Sequence, residues 1–406
     1  MPVPKPLKDL LALLLSCLLA FVMLEAAFTL YYLSVDKRWI RPSDRLLSEE
    51  NAFAEAAVNG KRNYVDTLFP HPYVGFVHHS IPPTGMDHLN SIGLFGQEYP
   101  LKKEKGVFVI LFTGSSVASQ FAGQRVEQNI LEQELNAHYT TPEIKKFVVL
   151  NGGDGAWKQP QQLILYSLYA DVLDGVITMD GGNEHYAMDG TNALRMEFPA
   201  INFTTAMKNF YGSTSASPLR LARMLHQAQL KNPLLRRSNL IYFAFGRLKA
   251  VLIKNAGATG SKNEAVVDGN IRKIFGLPSS WSKQEIREFN LKDYCKYLRL
   301  MTAMADAMHA KKLFLIQPAP AIDKPLSDVE KMRAGDLSYK EDYQRMADAL
   351  LALKAEGIPV YSLLDAFRDH PETLYTDQFH LSPEGYAILK ERIIGIIEKE
   401  WNLARH

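Results

Sequence analysis

The sequence predicts an α/β domain on a five-stranded parallel sheet, preceded by one N-terminal transmembrane helix. Three observations predict it. Five short apolar runs read as strands: VFVILFTG (107–114), KKFVVLN (145–151), GVITMDGG (175–182), KLFLIQPAP (312–320) and IPVYSL (358–363). Helical stretches lie between and after them, to about residue 138, from about 160, near 284–310, at 340–355 and from 383 to 400. Strands alternating with helices of this length build βαβ units, and hence a parallel sheet. The third observation is the nearly continuous apolar run 10–33, LLALLLSCLLAFVMLEAAFTLYYL.

Composition agrees and narrows the chemistry. At 406 residues, 47% hydrophobic and 22% charged, the chain can hold one sizeable α/β domain plus additions. Two cysteines, Cys17 and Cys295, exclude a disulfide scaffold and a cysteine-based metal site. The sequence carries no HExxH, no Walker loop, no zinc-ligand spacing and no internal repeat. No metal or other cofactor is expected.

Residues 1–35 form the anchor. The run 10–33 is interrupted only by Glu25 and a few small polar residues, and a bilayer-spanning helix needs about 20 residues. A cleaved signal peptide has an apolar core of about 7–15 residues and a prompt small-residue cleavage site. This run is longer and lacks that site, so an uncleaved single-pass anchor is expected, with Tyr31 and Tyr32 at the interface. Lys5 and Lys8 precede the segment, whereas Lys37, Arg38, Arg41 and Arg45 follow it. By the positive-inside rule that count leans towards a cytoplasmic catalytic domain.

Residues 36–105 read as a juxtamembrane helix at 43–60, with Ser43 as N-cap and Gly60 as stop, followed by a lead-in segment. The lead-in, YVDTLFPHPYVGFVHHS, holds His71, His78 and His79. A histidine cluster invites a metal reading, but aromatic and imidazole side chains more often pack such a segment against its domain.

Residues 106–195 and 284–406 carry the chemistry. Gly114-Ser115-Ser116 ends the first apolar run, Gly153 lies in NGGDG, Asn183 in DGGNE, and Asp377 stands three residues before His380 in DQFHL. Each has an ordinary structural reading. Ser115 or Ser116 can cap the helix that follows, Gly153 can be a turn glycine, Asn183 sits in turn chemistry, and His380 precedes a Ser-Pro-Glu helix start. Three of the four lie at the carboxyl ends of strands, where parallel sheets bind ligands, and the fourth a loop beyond the fifth strand, a coincidence that favours a site. A serine hydroxyl becomes nucleophilic when an imidazole takes its proton, and a carboxylate fixes that imidazole's tautomer. Asp377 and His380, at i and i+3, can share one turn and present the second ring nitrogen to Ser116. The N–H groups of Ser116 and Gly153 and the Asn183 amide can then receive an oxyanion.

Residues 196–283 form an insertion after the third strand. Between Phe198 and Asn263 there is no Asp or Glu, whereas Lys208, Arg220, Arg223, Lys231, Arg236, Arg237, Arg247, Lys249, Lys254 and Lys262 supply ten cations. Against a net charge of +2 for the chain, that segment leaves −8 for the rest. Apolar blocks, LIYFAF and AVLI, interleave with the cations, as in helices that lie on anionic membranes. Arg236, Arg237, Arg247 and Lys249 are the residues expected to meet a membrane or an anionic substrate; the alternative is an ordinary solvated face. No helix-turn-helix, zinc finger or RNP-like pattern accompanies the charge, so nucleic acid is not expected.

In these residues the chain resembles the SGNH/GDSL hydrolases. Ser116 matches the nucleophile of the first block, Gly153 the glycine of the second, Asn183 the third block's Gly-x-Asn-Asp, and Asp377 with His380 the closing Asp-x-x-His. The match covers roughly 106–190 and 285–400. Ser115 stands where the family has the aspartate of Gly-Asp-Ser, and Glu184 where it has the aspartate of Gly-x-Asn-Asp. The resemblance implies a flavodoxin-like three-layer α/β/α fold and ester or acyl chemistry on lipids, glycans or small esters. It also implies a catalytic domain on the periplasmic or extracytoplasmic side, against the charge count. The expected activity is a membrane-anchored serine esterase or deacetylase. O-acyl transfer to a cell-surface glycan and a catalytically silent tethered binding module are the alternatives.

Overall fold

The computed structural model describes residues 5–46, 67–79, 88–123, 129–188, 193–199, 202–207 and 218–406. The chain forms two compact units, one of Met1–Arg62 with Phe210–Val267, the other of Asn63–Asn209 with Asp268–His406. The second unit therefore takes in the lead-in segment, and begins well before the boundary at 106 expected from the sequence. Most of the juxtamembrane helix expected at 43–60 lies outside the described residues; its first turn is helical from Pro42.

Among the described residues the helices include, in chain order, α1 (Lys5–Asp36), α2 (Ser116–Phe121), α3 (Ile130–His138), α4 (Gln161–Tyr169), α5 (Gly182–Met188), α6 (Pro218–Lys231), α7 (Asn239–Phe275), α8 (Lys283–Ala307), α9 (Asp328–Ala334), α10 (Lys340–Leu351) and α11 (Pro383–Trp401). The strands are β1 (Leu68–His71), β2 (Gly75–His78), β3 (Val107–Gly114), β4 (Lys146–Gly153), β5 (Gly175–Asp180), β6 (Lys311–Ile316) and β7 (Val360–Ser362). The single helical stretch expected from about 117 to 138 is two helices, α2 and α3.

Strands β3 to β7 form one parallel sheet in the order β4-β3-β5-β6-β7, and β1 and β2 pair antiparallel in a separate hairpin. Numbered within the sheet this is 2-1-3-4-5, the flavodoxin-like doubly wound order, whose ligand crevice opens where the strand order reverses. The apolar runs lack alternation because both faces are covered. Val109, Leu111, Val176, Phe314 and Ile316 pack with α4, α8 and α10 on one face. Ile110, Phe112, Ile177, Met179, Leu313 and Leu315 pack with α2, α3 and α11 on the other. The result is a three-layer α/β/α domain.

Edge strand β4 is closed by side chains. Glu132 Oε2 accepts Val149 N–H (2.7 Å), Asn136 exchanges two hydrogen bonds with Phe147, and Tyr99 Oη donates to Asn151 O (2.9 Å). Tyr99 belongs to the lead-in, which explains why that segment sits with the sheet. An exposed edge left open would invite pairing with another chain.

In the first unit α1 contains a stretch, Leu11–Asp36, long and apolar enough to cross a membrane by length and composition. Most of its side chains are exposed, Leu15 at 70% and Met23 at 65% among them, whereas Glu25, Phe28, Thr29 and Tyr32 are partly covered.

Candidate functional site

Register brings three of the four sequence segments together. Gly114, the last residue of β3, pairs with Gly153 on β4 and with Met179 on β5, so the ends of the three strands lie side by side at the reversal of strand order. Close packing there requires the glycines. A Cβ on Gly114 would meet Met179 O at 2.3 Å and Ala118 Cβ at 2.5 Å; one on Gly153 would meet Ser119 N at 2.9 Å and Ser115 O at 3.0 Å. Those contacts seat the first turn of α2 directly over the sheet.

Ser116 is the first residue of α2 and is half-buried, while Ser115 before it is buried. Neither serves as the side-chain cap that the ordinary reading offered. Ser115 has the N-cap backbone conformation but makes no side-chain cap bond, and its hydroxyl lies 3.5 Å from Gln317 Oε1. Ser116 Oγ lies 2.8 Å from His380 Nε2, and His380 Nδ1 lies 2.7 Å from Asp377 Oδ2. Asp377 Oδ1 accepts the N–H groups of Phe379 (2.9 Å) and His380 (2.8 Å), which closes the i to i+3 turn expected from the sequence. Burial alone would raise the Asp377 carboxyl. The hydrogen bonds from the His380 ring and from the Phe379 and His380 N–H groups outweigh it and hold the group well below the usual carboxylate range.

The loop that carries this pair is fixed by Glu330, which sequence reasoning did not single out. Ser327 and Glu330 make a reciprocal capping box at the start of α9, and the buried Glu330 Oε1 also accepts Leu374 and Tyr375 N–H, each at 2.9 Å. Burial opposes ionisation of Glu330, but the backbone donors and Lys324 Nζ at 3.3 Å prevail and hold its carboxyl low. The signal was present as Ser-x-x-Glu, a capping box. Its second use, clamping the loop that carries Asp377 and His380, depends on contacts more than 40 residues away.

Of the three oxyanion donors expected, the structure treats each differently. The Ser116 N–H is in the first turn of α2, where no intrahelical acceptor exists. Asn183, on the first turn of α5, donates one amide hydrogen to Trp157 O (2.9 Å), which fixes the side chain and leaves its second amide hydrogen. The Gly153 N–H donates to Asn151 Oδ1 (3.0 Å) and is thereby occupied. Gly153 contributes closeness here, rather than an open donor.

Behind the site lies a buried polar layer. Glu184, where the resembled family has aspartate, accepts Gly181 N–H (2.9 Å) and Gln159 N–H (3.1 Å) and so ties the β5–α5 turn to the loop after β4. Burial raises its carboxyl and that of Asp180, which also feels Glu184. Lys158, buried and bonded to the carbonyls of Met196 and Phe198, is lowered by burial to about 8.

The lead-in histidines separate. His78 is buried between Thr67 Oγ1 (2.6 Å) and Asp154 Oδ1 (3.3 Å), next to Gly153. His71 Nδ1 accepts Val74 N–H (3.2 Å) in the hairpin turn, and the His79 ring stacks edge-on against Phe69. Burial, then His79, pushes His78 down to about 3, and burial raises Asp154, so the pair is held in neutral forms. Thr67 and Asp154 had no recognisable sequence signal.

Of the four insertion cations, Arg236, Arg237 and Arg247 are exposed. Lys249 is not: it is buried, with Nζ 3.1 Å from His226 Nδ1, because its side of α7 faces α6. It is removed from the surface set.

No family model and no curated protein matches this chain. Among solved structures it is similar to a GDSL-like lipase from Bacteroides thetaiotaomicron VPI-5482, at 13% identity over 72% of this chain and 88% of that one, with a TM-score of 0.35. It is similar to the acetylxylan esterase Axe2 from Geobacillus stearothermophilus, at 13% identity over 74% of this chain and 97% of that one, TM-score 0.37. It is also similar to the acetyl xylan esterase AlAXEase, at 11% identity over 71% of this chain and 98% of that one, TM-score 0.36.

Proposed function

We propose that this chain is a membrane-anchored serine hydrolase of the SGNH type that cleaves acyl esters, with Ser116 as nucleophile, His380 as general base and acid, and Asp377 as the residue that orients it. One observation carries the reading: the continuous chain Ser116 Oγ, His380 Nε2, His380 Nδ1, Asp377 Oδ2, with links of 2.8 and 2.7 Å.

The chemistry follows from that chain. With the ring proton on Nδ1 and donated to Asp377, Nε2 accepts the Ser116 hydroxyl proton as Oγ attacks the ester carbonyl carbon. The tetrahedral oxyanion is met by the Ser116 N–H and the free amide hydrogen of Asn183, each donor contributing on the order of 3 kcal/mol in the transition state. The imidazolium, stabilised by ionised Asp377, then protonates the leaving alcohol. Water, activated by the same imidazole, releases the acid from the acyl-enzyme. If a sugar hydroxyl takes water's place, the product is a transferred acyl group.

Leu11–Asp36 would cross the membrane once, with the catalytic unit outside the cytoplasm. Purified protein offered p-nitrophenyl acetate and acetylated glycans, with and without a polysaccharide acceptor, tests the reading. Turnover that disappears in Ser116→Ala is expected. Equal turnover by that variant, or none by the folded wild type across the panel, would overturn it.

A further inference from the structure

In the first unit, one feature of the anchor has no counterpart in an ordinary span. Between Asp9 and Asp36 the only charged residue is Glu25. A carboxylate within an apolar span is costly and calls for a partner. Here the partner is the start of a second helix. Glu25 Oε1 accepts Asn239 N–H (2.6 Å), and Oε2 accepts Leu240 N–H (3.1 Å) and the Ser238 hydroxyl (2.6 Å). Glu25 thus serves the unsatisfied first-turn donors of α7, where the helix dipole also favours an anion. Asn239 adds a bond to Thr29 Oγ1 (3.0 Å), and Phe243 stacks on Phe28 with ring centroids 4.6 Å apart.

These contacts fix the direction of α7 and its position along α1. Asn239 meets residues 25 and 29, Tyr242 meets Tyr32, and Phe243 meets Phe28 and Tyr31, so α7 leaves Glu25 running alongside α1 towards its C-terminal end. At about 1.5 Å per residue, Glu25 lies roughly 10 Å along the helix inward of Tyr31 and Tyr32. If the tyrosines mark the interface, the turn that joins α6 to α7 lies below it. That turn is suited to lipid. Leu234 at its tip is 78% exposed, Arg236 and Arg237 beside it are exposed, and Leu221, Met224, Leu248 and Val251 on the flanking helices are exposed apolar side chains. The surrounding sequence holds no acid from Phe198 to Asn263.

We infer that α6, the turn 232–238 and the start of α7 form a re-entrant hairpin, seated on Glu25, whose Leu234 tip enters the anionic leaflet beside the anchor. The inference rests on the reading of Leu11–Asp36 as a membrane span. The occupant is an anionic phospholipid leaflet: Leu234 takes the acyl region, and Arg236 and Arg237 reach the phosphates along their aliphatic stems.

The test uses the full chain, with Cys17 and Cys295 replaced by Ser, in phosphatidylcholine vesicles doped with phosphatidylglycerol. A bimane probe is placed by Leu234→Cys or, as a water-exposed reference, by Met332→Cys. The Leu234→Cys probe is expected to be quenched severalfold more strongly by mid-chain brominated lipid than by aqueous iodide, and the reference probe the reverse. Glu25→Ala is expected to move the Leu234→Cys probe towards iodide quenching while the protein stays resistant to carbonate extraction. Iodide quenching of the Leu234→Cys probe equal to the reference, in carbonate-resistant protein, overturns the hairpin. Release of the protein by carbonate overturns the anchor itself. Saturating capture of the tip by a soluble protein or polysaccharide in place of lipid also counts against the inference.

Discussion

Asp377→Asn isolates the orienting role of the carboxylate. In the structure Oδ1 accepts two backbone N–H groups and Oδ2 accepts the His380 ring. Asparagine keeps the shape, and its carbonyl oxygen can go on accepting both backbone donors, so the turn is retained. Its NH₂ group then faces Nδ1, which can accept only by giving up its proton. The proton moves to Nε2, which becomes a donor towards Ser116 and can no longer act as base. Loss of the correct tautomer in Ser-His-Asp enzymes costs about 10⁴ in kcat, or about 5.5 kcal/mol at 1.36 kcal/mol per decade. Asp377→Ala removes the two backbone bonds as well. The Asp377 side chain is 53% exposed, so water replaces much of what is lost and the effect on folding should stay near 1 kcal/mol. The assay is the second-order rate of labelling by a fluorophosphonate, which needs no knowledge of the natural ester, read beside the apparent melting temperature. Asparagine should slow labelling by about three to four decades with little change in melting. Labelling within tenfold of wild type, in a folded variant, would refute the orienting role.

Gly153→Ala forces a Cβ against Ser119 N and Ser115 O; overpacking of this kind costs about 1–3 kcal/mol. It should lower melting and slow labelling of Ser116, and wild-type values for both would count against the close packing described. His78 is held neutral at a value of about 3 against an ordinary 6.5, so the unfolded chain takes up a proton that the folded one resists. The stability associated with neutral His78 is therefore present above about pH 6.5 and lost as pH falls towards 3. His78→Gln should flatten the decline of melting temperature over that window, and an identical slope would contradict the assignment.

Much of the second unit was legible because its signals are local. Fully buried parallel strands are short apolar runs, and strand β3 occupies the residues read from the sequence, 107–114. The Asp-x-x-His turn is closed by bonds spanning two and three residues. What was hidden depends on side-chain partners that the sequence pattern does not name, most of them distant. The Gly153 amide looked like a donor until Asn151, two residues back on the same strand, took it. Lys249 counted as a surface cation because sequence does not say that His226 faces it across the hairpin. Glu25 read as a blemish in an apolar run, since its partners lie 213 to 215 residues away. Glu330 shows both sides: its capping box was readable, its hold on the loop of Asp377 and His380 was not.

The measurement that bears most directly on Ser116 as nucleophile is site mapping of the phosphonate adduct by peptide mass spectrometry in wild type, Ser115→Ala and Ser116→Ala. One adduct per chain is expected, on Ser116, retained in Ser115→Ala and absent from Ser116→Ala. An adduct on Ser115, or a folded wild-type protein that takes no label, would contradict the assignment of Ser116, His380 and Asp377 as a working catalytic chain.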